Sequence, residues 1–211
     1  MQEIVLIGIL ISTCLMAVAK RLPALIRSFR YQSFFLFLAT FLVAWKEAQP
    51  DLYVVAGLLL VIKAALIPHV LYRIINKIKV GQDLGLFINT QLSLLCALLF
   101  AYLAWDFSSK LIVYGSHAQT GILSVALFSV LIGFFLMISR ITALAQIIGL
   151  LVMENGLFLL ASAVSGGMPF FVEIAIFFDV FVSVVIMGFF IYRINKFFTH
   201  IDVNKLSNLK G

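Results

Sequence analysis

Three ionisable side chains lie near the centres of hydrophobic stretches that are long enough to cross a lipid bilayer. They are Lys63, Glu154 and Asp179. A charge at that depth costs about 2.5–3.5 kcal/mol on insertion scales, so membrane proteins keep one where it faces another charge, a partner subunit or water. Acids and amines in such surroundings can exchange protons near neutral pH. The sequence therefore predicts either a path for protons or ions, or buried ion pairs that only hold helices together.

Three further residues accompany these charges. Ser183 lies one helical turn after Asp179 and is predicted to be its hydrogen-bond partner. Glu173, near the outer end of the same stretch, is interpreted as a solvated interfacial acid. His69 follows Pro68, which frees a backbone carbonyl on the preceding turn and predicts a kink. We interpret His69 as a helix-packing residue rather than a proton carrier.

The amino-acid composition indicates the class of protein. Of the 211 residues, 64% are hydrophobic and only 11% are charged, and the mean hydropathy is +1.16. A soluble domain of this size cannot bury so much apolar surface, so the chain is predicted to be an all-α polytopic membrane protein. Cys14 and Cys96 both fall in apolar stretches and are interpreted as small buried side chains. No pattern of metal or redox ligands is apparent, so we expect no cofactor and no catalysis by this chain alone.

Seven apolar runs predict seven transmembrane helices. Their expected limits are Ile4 to Ala19, Tyr31 to Trp45, Leu52 to Tyr72, Leu84 to Trp105, Thr120 to Ser139, Ile141 to Ser165 and Met168 to Ile194. The second run is short, and its helix is expected to begin earlier, near Leu25.

Basic residues predict the orientation. Twelve of the fifteen lie on one predicted face of the membrane, whereas Lys46 and Lys110 lie on the other and Lys63 lies within it. The positive-inside rule places the N-terminus outside and the C-terminus in the cytoplasm. This asymmetry accounts for the net charge of +6 without a nucleic-acid partner.

The two ends of the chain resemble each other. The ten residues from Tyr31 match the ten from Met153, so that Glu154 corresponds to Gln32. Spans one to three are therefore predicted to be a degenerate copy of spans five to seven, in parallel orientation. Three spans end on the opposite side of the membrane from where they began, so span four is needed to return the chain to the side on which the first copy started. The expected modules are residues 1–80, a linking helix and outer loop at 81–118, a second module at 119–195, and a cytoplasmic tail at 196–211.

The second module resembles a known family. The stretch Ile148–Asn155, which reads Ile-Gly-Leu-Leu-Val-Met-Glu-Asn, is similar to the Ile-Gly-Leu-Glu-Ile-Met-x-Asn of the K subunit of bacterial respiratory complex I. The family's glutamate falls at Leu151, one turn from Glu154 on the same helix face. Asp179 resembles the second membrane glutamate of that subunit. With Ile62–Pro68 in the first module, the whole layout resembles hydrogenase-4 component E, a membrane subunit of group 4 [NiFe] hydrogenase and formate hydrogenlyase-type complexes.

The resemblance implies a role in the cell inner membrane beside antiporter-like and hydrogenase-type redox subunits. Lys63, Glu154 and Asp179 would then relay protons, or Na⁺, in response to redox chemistry in those partners. Two alternatives stay open. The chain could belong to a multisubunit cation/proton antiporter or act as a free-standing secondary transporter, or it could be a membrane scaffold whose buried charges only fix assembly.

Overall fold

A computed structural model of the protein describes residues 2–48, 50–78, 89–111 and 117–164. Within these ranges the chain forms six helices. Four of them, α3 to α6, are long and apolar enough to cross a membrane, and α1 is a shorter apolar helix. Their bounds are α1 Gln2–Val18, α2 Leu22–Glu47, α3 from Pro50 to Ile78, α4 Thr90–Leu111, α5 His117–Ser139 and α6 Ala143–Val164. The predicted seventh span lies outside the described residues.

Helix α2 extends upstream of its apolar run through an amphipathic segment, in which Leu25 and Ile26 are buried while Arg27 is exposed. It begins at Leu22, three residues before the expected start, with Pro23 in the first turn, where a missing backbone N–H costs no hydrogen bond. The helix ends at Glu47, and the left-handed backbone of the next residue, Ala48 (φ 52°), caps it.

The predicted start of the fourth span, Leu84, lies outside the described residues. Asn89 directly precedes the helix, which runs from Thr90 to Leu111 and so continues beyond the predicted end at Trp105. The polar residues after Trp105 were interpreted as loop, but Lys110 pairs with Asp106 one turn earlier at 2.6 Å. Pairs with this i,i+4 spacing stabilise a helix at its exposed end.

Helix α3 changes its winding around Lys63. Residues Pro50–Leu58 are α-helical, Leu59–Leu66 form a π-helix, and the α-helix resumes from Ile67 to Ile78. The N–H of Ile67 donates to the carbonyl of Ile62, five residues earlier. Pro68 follows directly; its ring crowds the carbonyl four residues before it and it has no N–H to donate. The wider π turns relieve this crowding, so the kink that Pro68 predicts takes the form of a π segment.

The helices pack mainly as sequential hairpins. Helix α1 packs against α2, α2 against α3, and α5 most extensively against α6, while α4 lies on α5 and α1. The first two helices also pack against the last two described ones: α1 contacts α5, and α2 contacts α6. These contacts bring α1, α2, α3 and α6 around one interior.

Glycines permit the close approach of α5 and α6. A Cβ added at Gly156 would lie 2.7 Å from the backbone nitrogen of Val130, and one added at Gly133 would lie 2.6 Å from that of Met153. Small residues at membrane helix interfaces allow such backbone contact, and dispersion and packing then stabilise the pair. The tight hairpin fixes the helix that carries Glu154.

We expect Gly156→Ala to destabilise the protein by about 1–3 kcal/mol, because the added methyl group must push two helix backbones apart. Gly57 and Gly121 are helical positions at which an added Cβ meets nothing within 4 Å. Alanine at either should leave stability unchanged or raise it slightly. Unfolding in mixed detergent micelles measures the difference; equal effects at Gly156 and Gly121 would contradict the tight contact.

Candidate functional site

Two opposite charges meet inside the helix bundle. Lys63 lies at the middle of the span Pro50–Asn76 and Glu154 near the middle of Ala143–Ala163. The Lys63 Nζ and Glu154 Oε2 atoms are 3.7 Å apart, and each side chain is only 2% exposed. At this distance the two atoms form an ion pair rather than a direct hydrogen bond. The cost of placing each charge at this depth is offset by the other.

The ammonium group has a second partner on the same helix. Lys63 Nζ donates to Asn155 Oδ1 at 2.9 Å. Asn155 directly follows Glu154, and it is also buried. Two consecutive residues of α6 therefore hold the Lys63 side chain of α3, one by charge and one by a hydrogen bond.

A chain of hydrogen bonds continues from Asn155 to the first two helices. Asn155 Nδ2 donates to Gln32 Oε1 at 3.1 Å and lies 3.3 Å from Ser33 Oγ. Gln32 Nε2 donates to Thr13 Oγ1 at 2.9 Å. The Thr13 hydroxyl donates to the carbonyl of Ile9 at 2.7 Å. Gln32, Ser33 and Thr13 are fully buried. We call the Lys63–Glu154 pair and the polar side chains connected to it the ionic site, and it extends across α1, α2, α3 and α6.

The local structure of each helix supports this placement. The π segment of α3 contains Lys63 and is bounded by Pro68, so the winding change and the buried charge occur together. Such segments are frequent at functional sites because they turn side chains away from the regular helical face. On α2, the polar residues Gln32 and Ser33 face inward while Tyr31 is exposed.

The structure brings together two of the predicted site residues, Lys63 and Glu154. His69 is exposed and lies away from them on the helix surface. Asp179, Ser183 and Glu173 lie outside the described residues, so their predicted roles stay predictions.

Sequence reasoning missed Asn155 and Thr13 as members of the site. It noted Gln32 only as the counterpart of Glu154. A signal was present: each is a polar uncharged residue inside an apolar helix, and such groups need a hydrogen-bond partner in lipid surroundings. The type of residue indicated that a partner was needed, although not which helix supplied it.

Arg140 is a separate buried charge at the turn between α5 and α6. It is 1% exposed, and its Nη2 donates to the carbonyl of Ala17 at 2.7 Å. That carbonyl is at the last turn of α1, where the helix leaves its own carbonyls unpaired and a positive charge is stabilising. Burial lowers the pKa of this guanidinium below its ordinary value. Arg140 therefore joins α1 to the α5–α6 hairpin instead of standing in solvent as a loop charge.

The chemistry available at the site is that of protons and cations. A carboxylate and an ammonium can each gain or lose a proton, whereas the amides and hydroxyls beside them orient and solvate. Among the described residues, no group of three His, Cys, Asp or Glu side chains could hold a metal ion.

Comparison with known proteins gives one relative without an assigned role. The chain is 24% identical over 204 residues to an uncharacterised protein of Mycobacterium tuberculosis. The aligned region covers 96% of this chain and 93% of that protein. No protein-family model matches the chain. No solved structure matches it either.

Proposed function

We propose that this chain is a membrane subunit that contributes a buried ion pair to proton, or Na⁺, translocation. The parent assembly would be a complex I-related complex of the hydrogenase-4 type, in which partner subunits carry out the redox chemistry. One observation carries the proposal: Lys63 and Glu154 form a buried pair at the middle of two membrane-length helices, connected to polar groups on two further helices. Proton-conducting membrane proteins place paired acids and bases in this way.

Contacts between equivalent positions support the internal repeat. The register that aligns Glu154 with Gln32 also aligns Asn155 with Ser33, and these two side chains are 3.3 Å apart. Helices α1 and α5, and likewise α2 and α6, are predicted equivalents that pack against each other. Modules related by a pseudo-two-fold axis make such contacts close to that axis. The ion pair would then lie at the interface of two modules, where transporters of repeated design commonly bind their ions.

The repeat also favours the proposed orientation. Arg140, at the end of α5, reaches the end of α1, so these equivalent helices run the same way. Together with the predicted distribution of basic residues, this supports an orientation with the N-terminus outside and the C-terminus in the cytoplasm, in the cell inner membrane.

A free-standing secondary transporter, or an antiporter component, is the second candidate. The π segment of α3 supports it, because transporters interrupt membrane helices at their ion sites and this interruption surrounds Lys63. The two candidates differ in their partners rather than in the ionic site.

Purification of the tagged chain in mild detergent, with mass spectrometry of what accompanies it, distinguishes them. We expect a [NiFe]-type large subunit together with antiporter-like membrane subunits. Recovery of antiporter-type subunits without any redox subunit, or of the chain alone, would contradict the hydrogenase-4 assignment and favour the second candidate. A tag on an unrelated polytopic protein of the same membrane controls for detergent carry-over.

A further inference from the structure

The hydrogen-bond chain between Lys63 and α1 has a fixed direction. A lysine ammonium can only donate hydrogen bonds, and a backbone carbonyl can only accept them. Lys63 stands at one end of the chain, and the carbonyl of Ile9 stands at the other. Every bond between them is therefore constrained by both ends.

The direction follows link by link from α1. The single hydroxyl proton of Thr13 is donated to Ile9, so the Thr13 oxygen accepts from the amide NH₂ group of Gln32. The Gln32 carbonyl oxygen is then left to accept from the NH₂ group of Asn155. This leaves the Asn155 carbonyl oxygen facing Lys63. Each amide dipole thus points its negative end toward the ammonium, and bonds aligned in this way polarise one another.

Neither amide can turn over by itself while Lys63 is an ammonium. A reversed Asn155 would set its NH₂ group against Lys63 and its oxygen against the oxygen of Gln32. A reversed Gln32 would set its oxygen against Thr13, which would have to abandon Ile9 to donate to it. Because the bonds are buried, each mismatch would cost the full desolvation penalty of an unmade hydrogen bond.

We propose that Thr13 is a positioning residue for the ionic site: through Gln32 it holds Asn155 with its carbonyl oxygen toward Lys63. Thr13 touches neither Lys63 nor Glu154 through any hydrogen bond in the part of the chain described, and it acts only through the two amides. Helix α1 thereby controls how the ammonium is held on α3. The positioning role of Thr13 follows from the hydrogen bonds alone, whereas any effect of Thr13 on ion movement rests on the proposed function.

The test observes Asn155 directly. The full chain, labelled with ¹⁵N-asparagine and reconstituted in lipid bilayers, gives side-chain amide resonances by solid-state NMR, and the loss of one in Asn155→Leu assigns Asn155. Thr13→Val removes the acceptor for Gln32, so we expect the Asn155 amide resonance to move. Thr13→Ser keeps the hydroxyl and should leave it in place. Thr13→Ala provides the same test as valine with a smaller side chain, should the valine variant fail to fold.

Thr40→Val is the matched control. Thr40 is also buried and donates to the carbonyl four residues earlier, at 3.1 Å, but it is not a link in the chain. Its loss should not move the Asn155 resonance. An unmoved Asn155 in the folded Thr13→Val or Thr13→Ala variant, or an equal shift in Thr13→Ser, would overturn the inference. No ion movement or partner is needed, so this outcome is independent of whether translocation is the function.

Discussion

Lys63→Met is expected to destabilise the protein by about 3–5 kcal/mol, the range seen when one partner of a buried ion pair is removed. The substitution takes the cation away from a carboxylate 3.7 Å distant in surroundings where both groups are 2% exposed. It also removes the donor to Asn155. Glu154 must then take up a proton or remain charged without the Lys63 ammonium beside it, and both changes cost free energy.

The double variant Lys63→Met/Glu154→Gln should recover much of that loss. Replacing both members of a buried pair by uncharged groups of similar volume is often close to neutral. Unfolding free energies of the wild type, both single variants and the double variant, measured in mixed micelles, give the coupling between the two sites. A double variant as unstable as the sum of the singles would contradict the pairing.

The exposed pair Lys110–Asp106 is the matched control for this cycle. Its atoms are closer, at 2.6 Å, but the two side chains are 71% and 41% exposed. Exposed pairs contribute little to stability because water already stabilises each charge. Lys110→Met should therefore have a small effect, in spite of the shorter distance. Burial, and not distance, is what makes the Lys63 substitution costly.

Glu154→Gln is expected to leave the complex assembled but to lower ion translocation roughly tenfold or more, since an amide of the same shape cannot take up and release a proton. The measurement is dye quenching in inverted membrane vesicles, with the amount of assembled complex determined by pull-down. Asp106→Asn, at an exposed carboxylate on α4, should leave translocation unchanged. Wild-type translocation in assembled Glu154→Gln complexes would contradict a proton-transferring role for this carboxylate.

The charges of the site could be predicted from the sequence, whereas their partners could not. Lys63 and Glu154 are conspicuous because a charge in an apolar helix is costly, and their need for a partner followed directly. Which helix would supply that partner depended on packing among several apolar helices. Apolar composition alone does not distinguish one arrangement from another. Asn155 and Thr13 were missed because uncharged polar residues are cheaper to insert and are adequately explained by ordinary helix contacts.

The limits of the helices could likewise be predicted only where hydropathy alone determines them. The apolar cores of α3, α5 and α6 follow the predicted runs closely, because hydropathy measures what must lie in lipid. Helix α4 continues past its apolar run to Leu111, and the Asp106–Lys110 pair stabilises this added turn. Pro68 indicated a disturbance in α3, but not that it would take the form of a π segment around Lys63.

The most direct test of the account is ion translocation by the double variant Lys63→Met/Glu154→Gln in inverted vesicles that contain the assembled complex. If the pair transfers protons, the double variant should be close to wild type in assembly but strongly reduced in translocation, because both titrating groups are gone. Wild-type translocation by a stable double variant would contradict the account. It would leave Lys63 and Glu154 as an ion pair that serves only to hold α3 against α6.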